Sequence, residues 1–274
     1  MSHTHENRDD KVSLVEMGPR DGLQNETATL SLAQRLALIA HLAESGLQRI
    51  EVGAFVSPKK VPQMADSAAL FNALPRRGPT RYGALVPNLQ GLQAAVAARA
   101  DEIGLFTACS DGFTRANIGI SVEESLVRFA PLVQEARSLG IKVRGYLSTV
   151  IACPFDGPTR PKRVAALAER LLDLGCHEIS LGDTIGVGTP GTVAPMLDAV
   201  LHEIPAGRLA VHFHDTYGQG LANLLPALER GIRTIDCSVA GLGGCPYAPG
   251  ASGNVASEEV VYLLHGLGMS TGVD

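Results

Sequence analysis

LAVHFHD, residues 209 to 215, is composed like a β-strand: three apolar residues, then imidazole, phenyl, imidazole and an acid. Alternate residues of a strand project to one face, so His212 and His214 point together while Phe213 turns to the opposite side. Polar chemistry thus gathers at the C-terminal end of an otherwise apolar strand. The same arrangement recurs: GPRDG (18–22) follows the run Ser13–Met17, GDT (182–184) closes Glu178–Asp183, and GLGG (241–244) follows Thr234–Ala240. Further β-rich runs at Arg49–Phe55, Arg81–Pro87, Glu102–Thr107 and Lys142–Thr149 bring the strand candidates to eight. Amphipathic segments lie between them, among them Ser31–Ser45, Ser121–Leu139, Arg160–Leu174 and Leu221–Arg230. Gly46, Gly140, Gly175 and Gly231 act as helix stops, and a last helix spans Val255–Leu264.

This alternation specifies a parallel sheet with helical crossovers, which can be an open doubly wound sheet or a closed barrel. Two features select the α/β (β/α)8 TIM barrel, with its active site at the C-terminal end of the strands. Acidic, His and Gly-rich elements collect at those strand ends, which a barrel brings to one mouth. No Gly-x-Gly-x-x-Gly follows strand one, which removes the sequence signal of a dinucleotide fold. No Pro/Ser-rich linker interrupts the series, so the expected organisation is a flexible tail over 1–11 and one barrel domain over 12–274.

The bulk numbers restrict the partners. Of 274 residues 45 % are hydrophobic and 19 % charged, so the chain can bury a core. A net charge of −5 and no long basic stretch argue against nucleic acid. No apolar run approaches bilayer length, so no membrane partner is expected. The five cysteines are odd in number and never spaced Cys-x-x-Cys, which fits a reducing cytosol better than a disulfide framework or structural zinc. A homodimer is compatible with the chain, but no sequence feature specifies it.

The paired imidazoles suit a first-row or magnesium-like cation if oxygen ligands complete the shell. Asp21, at the end of strand one, is the natural carboxylate, and the amide oxygen of Asn254, just before the last helix, can close the set. Arg20 beside it is free to reach an oxyanion. Glu51 lies inside an apolar strand and must be paired, hydrogen-bonded or protonated there; pairing with Arg20 would place it in the site. Asp183 ends strand six, where it can serve as general base or as a helix cap. Cys245 sits between GLGG and GASGN (250–254) and is the one thiol expected to function, as an acid/base partner. His41, His177, His202 and His265 are expected to be peripheral.

Five motifs resemble hydroxymethylglutaryl-CoA lyases: GPRDGLQNE (18–26), FVSPKKVPQMAD (55–66), SLGDTIGVGTPG (180–191), HFHDTYGQGLAN (212–223) and GLGGCPYAPGASGNVASEEVVYLLHGLG (241–268). The resemblance covers almost the whole chain. It implies a TIM barrel that uses Mg2+ or Mn2+ to cleave 3-hydroxy-3-methylglutaryl-CoA into acetyl-CoA and acetoacetate. It also implies Asp21, His212, His214 and Asn254 as metal ligands, and Arg20, Glu51, Asp183, His212 and Cys245 as catalytic positions, with an acyl-CoA as partner. The chain departs from the family pattern at Lys60, at 110–113, at 118–120 and at 149–155. Most of these lie beyond strands two, four and five, over the expected mouth, where they bear on acyl or CoA specificity. Two rivals share the constellation: a condensing acyltransferase of the isopropylmalate synthase type, and a non-catalytic acyl-CoA- or metal-binding barrel.

Overall fold

The computed structural model describes residues 10–76, 78–244 and 253–274. Strands β1 (Ser13–Glu16), β2 (Arg49–Ala54), β3 (Arg81–Leu85), β4 (Glu102–Ala108) and β5 (Lys142–Ser148) run in order around a sheet. A two-stranded hairpin, β6 (Ala152–Cys153) and β7 (Gly157–Pro158), then stands apart. β8 (Glu178–Asp183), β9 (Leu209–Phe213) and β10 (Thr234–Cys237) complete the circuit. β1 pairs in parallel with both β2 and β10, which closes the sheet into the expected eight-stranded barrel and leaves it no free edge.

Helices α1 (Leu32–Glu44), α2 (Ser67–Ala73), α3 (Leu89–Ala97), α4 (Asp111–Ile118), α5 (Val122–Ser138), α6 (Pro161–Leu174), α7 (Pro190–Glu203), α8 (Gly220–Glu229) and α9 (Ser257–Gly266) accompany the strands. Their ends follow local chemistry. Ser31 with Gln34 and Ser121 with Glu124 form reciprocal capping boxes that start α1 and α5. Gly175 stops α6 at φ +113°, a conformation that a side chain would oppose. The apolar core lies between barrel and helices, with Ile179, Leu181, Val211 and Phe213 fully buried in it.

Inside the barrel the filling is largely ionic. Arg49, Glu102 and Glu178, first residues of their strands, form a lower tier: Arg49 bridges Glu102 at 3.0 Å and Glu178 at 2.9 Å. Two residues further along come Glu51, Arg144, Ser180 and Asp236. Arg144 is 1 % exposed and grips Glu178 through Nε at 2.6 Å and Asp236 through both terminal nitrogens at 3.0 and 2.6 Å. A buried charge without a partner costs several kcal/mol, so these tiers form as a set.

Two details differ from the sequence expectation. β9 ends at Phe213, and His214 lies just beyond it in an isolated antiparallel bridge to Asn254. Lys11, assigned to a flexible tail, instead bridges Ser270, whose N–H donates to the Asp10 carbonyl at 2.9 Å. Residues 1–9 of that tail lie outside the described residues.

Candidate active site

GPRDG does not form a simple turn. Residues Gly18–Gly22 make one π-helical turn, held by Gly22 N–H to the Met17 carbonyl at 3.2 Å. Its glycines are required by contact: a Cβ on Gly18 would lie 2.7 Å from Glu16 Oε1, and one on Gly22 would lie 2.8 Å from the Leu242 Cβ. The turn aims Arg20 and Asp21 over the upper tier. Glu51 Oε2 accepts from Arg20 Nε at 3.0 Å and Nη2 at 2.7 Å, while Nη1 reaches Asp21 Oδ1 at 2.7 Å. The Tyr146 hydroxyl donates to the same Glu51 oxygen at 3.2 Å. Burial opposes the charge on Arg20, yet Glu51 and Asp21 outweigh it and hold the guanidinium firmly protonated.

Asp21, His212 and His214 converge, each offering an atom within 4.8 Å of the others. His212 Nε2 lies 3.3 Å from His214 Nε2 and 4.0 Å from Asp21 Oδ2. Asn254 joins them because its Nδ2 donates to Asp21 Oδ2 at 2.9 Å and to the Leu242 carbonyl at 3.1 Å. Burial would raise the Asp21 carboxyl, but Arg20 and both imidazoles bring it down to about 2, so it is a carboxylate at any working pH. Burial and the neighbouring His212 push His214 down to about 4, leaving a neutral ring with one lone pair to give.

The cluster fits a divalent cation. The buried Oδ1 of Asn254, whose amide nitrogen bonds Asp21, has no hydrogen-bond partner, although almost all buried polar atoms have one. Two imidazole nitrogens, a carboxylate and an amide oxygen are also the mixed N/O donors such an ion takes.

Asn254 is placed by Gly253, which sits at φ +88° with its carbonyl accepting from Asp215 N–H at 2.9 Å. A Cβ there would lie 2.5 Å from the Gly243 carbonyl carbon. We expect Gly253→Ala to cost about 1–3 kcal/mol in melting experiments and to weaken cation binding. Unchanged melting and binding would show that the backbone at 253 can relax at no cost.

Asp183 is placed differently from Arg20, Asp21 and the paired imidazoles. Glu178 and Ser180 face into the barrel, whereas a Cβ on Gly145 would meet Ile179 and Leu171 on the helix side. Asp183 shares the parity of Ile179, so its side chain starts on the helix-facing side of β8 instead of beside the cation ligands. Its Oδ2 accepts from Gly188 N–H at 2.7 Å, and Oδ1 is buried without a partner. Asn223 of α8 holds the same loop through the Gly188 carbonyl at 2.9 Å. Burial pushes the Asp183 carboxyl up to about 6, against the lowering effect of the loop amides. Cys245 lies outside the described residues.

Sequence reading missed Asp236, Arg144, Tyr146 and Ser180, which hold the site from below. Asp236 Oδ2 lies 3.2 Å from His212 Nδ1 and accepts from Ser180 Oγ at 2.7 Å. After β4, Gly112 N–H at the start of α4 donates to Asp156 Oδ2 at 2.8 Å in the β6–β7 hairpin, and Phe155 beside it is 52 % exposed.

Comparison with known proteins is consistent with this geometry. A hydroxymethylglutaryl-CoA lyase of Pseudomonas mevalonii is 54 % identical over 263 residues, covering 96 % of this chain and 87 % of the relative. The crystal structure of the HMG-CoA lyase from Brucella melitensis superposes with a TM-score of 0.95 at 52 % identity, covering 97 % of this chain and 94 % of that one. An HMG-CoA lyase from Acinetobacter baumannii, solved in complex with coenzyme A and 3-methylmalate, matches at 0.93 and 37 % identity over 98 % of this chain and 88 % of its own. The family model described as HMGL-like matches residues 11–274, so the chain whose barrel mouth gathers Arg20, Asp21, His212, His214 and Asn254 belongs to the HMGL-like family.

Proposed function

We propose that this protein is a divalent-metal-dependent carbon–carbon lyase that cleaves 3-hydroxy-3-methylglutaryl-CoA, or a close 3-hydroxyacyl-CoA, into acetyl-CoA and acetoacetate or the matching 3-keto acid. The observation that carries the reading is the convergence of a fixed guanidinium and a cation-ligand cluster at one barrel mouth, within a chain more than half identical to named lyases. Mg2+ or Mn2+, held by Asp21, His212, His214 and Asn254, would supply Lewis acidity that makes the tertiary hydroxyl of the substrate easier to deprotonate.

The chain's own residues do the rest. Arg20 is aimed by Glu51 and cannot lose its proton, so it stabilises the thioester oxyanion as the carbon–carbon bond breaks and the enolate forms. The hydroxyl proton has two possible acceptors, His212 and Asp183. Asp183 suits the task better in basicity: a carboxyl near 6 with a free Oδ1 is matched to neutral pH, while His212 Nε2 is committed to the ligand set. Because this carboxyl starts on the helix-facing side of β8, reaching the substrate requires it to swing toward the mouth and to exchange the Gly188 N–H bond for the substrate hydroxyl. Cys245 remains the proposed acid that protonates the acetyl-CoA carbon. The scattered, buried cysteines among the described residues favour a reducing compartment, and we place the protein in the cytosol.

Asp183→Asn tests the base in two ways. Turnover is expected to fall about 10²–10⁴-fold, the usual worth of a general base. Stability should move oppositely. A carboxyl raised from 3.8 to about 6 disfavours the folded state progressively as pH climbs through that interval. Wild type should therefore lose up to about 3 kcal/mol relative to the variant between acid and neutral pH. Melting curves and kcat at both pH values measure this; unchanged turnover would reassign Asp183 to anchoring the loop alone.

The function itself is tested by incubating the metal-loaded protein with a panel of 3-hydroxyacyl-CoA esters and detecting acetyl-CoA. Release from none of them, with binding intact, would favour the non-catalytic barrel.

A further inference from the structure

Asp236, which no sequence motif singled out, holds one imidazole of the ligand cluster and leaves the other unheld. We propose that Asp236 is a positioning residue: it fixes His212 as the Nδ1–H tautomer and thereby aims the Nε2 lone pair at the cation. The inference rests on the reading of Asp21, His212, His214 and Asn254 as a cation site.

Asp236 is 1 % exposed, and its two oxygens face Arg144 Nη1 at 3.0 Å, Arg144 Nη2 at 2.6 Å and Ser180 Oγ at 2.7 Å. Arg144 is itself fixed by Glu178 at 2.6 Å and lies 3.2 Å from the Tyr146 hydroxyl, so the carboxylate cannot swing without unpairing a buried cation. His212 Nδ1, 3.2 Å from Oδ2, meets an atom that can only accept. A ring nitrogen bearing a lone pair there would face carboxylate lone pairs in a buried site. Nδ1 therefore carries the proton, and Nε2 presents its lone pair toward Asp21 and His214. The register supports this placement: Asp236 and His212 are direct partners across β10 and β9, so the sheet itself sets their approach. His214 lacks such support, since its Nδ1 is buried without a partner. A carboxylate that orients a ligating histidine typically contributes 10–100-fold in metal affinity.

The test reads the ring and the ion directly. Long-range proton–nitrogen spectra of metal-free wild type, labelled at histidine and recorded at about pH 8 so that an unperturbed ring is neutral, are expected to show the His212 proton on Nδ1. A proton on Nε2 would overturn the proposal, and this measurement needs no variant. In Asp236→Asn, an amide offers one acceptor where four donor groups converge. Folded variant is expected to bind Mn2+ about 10–100-fold more weakly, with the Nδ1–H signature lost or mixed with the other tautomer. Equal Mn2+ affinity in folded variant and wild type would also overturn it. The lyase reading fails separately, if wild type binds Mn2+ yet releases no acetyl-CoA from any ester.

Discussion

Replacing Arg20 with glutamine is expected to lower kcat roughly 10²–10³-fold, the typical loss when a preorganised oxyanion donor is removed. Every nitrogen of the guanidinium is engaged: two on Glu51 and one on Asp21, at 2.7 to 3.0 Å. The side chain thus meets developing charge without first reorganising, and a glutamine amide supplies neither the charge nor the fork. The substitution also leaves buried Glu51 with the Tyr146 hydroxyl as its remaining hydrogen-bond donor among the described residues and with Arg144 as a more distant cation. An uncompensated buried carboxylate costs about 3–5 kcal/mol, but Glu51 can escape by taking up a proton, since burial already raises its pKa and Arg20 was the main opposing influence. The stability deficit of the variant should therefore be small in acid and grow as pH rises through the raised Glu51 pKa. Melting across pH, together with kcat on folded protein, separates the two effects. Near-normal turnover in a folded variant would remove Arg20 from the mechanism.

How legible was this arrangement? Alternation in LAVHFHD placed His212 and His214 on one side and Phe213 in the apolar layer, and the barrel closes as the clustering of polar strand ends implied. Asn254 was accessible only as a position near the mouth. Its actual placement depends on the bridge to His214 and on the backbone at Gly253, neither of which a local pattern encodes. The π-helical turn at 18–22 was equally hidden, because it is shaped by close contact with 238–242, far away in the chain.

Other residues were readable and were passed over. Glu51 drew notice as a charge inside an apolar strand, and the same rule applies to Asp236 in Thr-Ile-Asp-Cys and to Arg144 in Lys-Val-Arg-Gly-Tyr. Applied evenly, it would have found the ionic tiers that fill the barrel. Parity also carried a warning about Asp183: with Glu178 and Ser180 on one face, an odd-numbered residue belongs to the other. What parity could not supply was the raised pKa, which comes from three-dimensional burial above the sheet.

Removing the carboxylate from the ligand cluster should have the largest effect of all. Asp21→Ala leaves two imidazoles and an amide, a neutral set poorly suited to a hard cation such as Mg2+, which prefers anionic oxygen. It also strips Arg20 Nη1 of its partner and frees Asn254 Nδ2 from its shorter bond, so ion, guanidinium and amide lose their common anchor together. Turnover is expected to fall by at least about three orders of magnitude, because Lewis-acid stabilisation is worth several kcal/mol and each 1.36 kcal/mol is tenfold in rate. His214→Ala offers the instructive contrast. It keeps the only anionic donor, so Mg2+ binding should weaken without vanishing, and raised metal should recover part of the rate, which Asp21→Ala should not allow. Metal titrations of both variants measure this, alongside a chelated wild type restored by Mg2+ or Mn2+. Full turnover in thoroughly chelated protein would mean that the cluster has some purpose other than holding a catalytic ion.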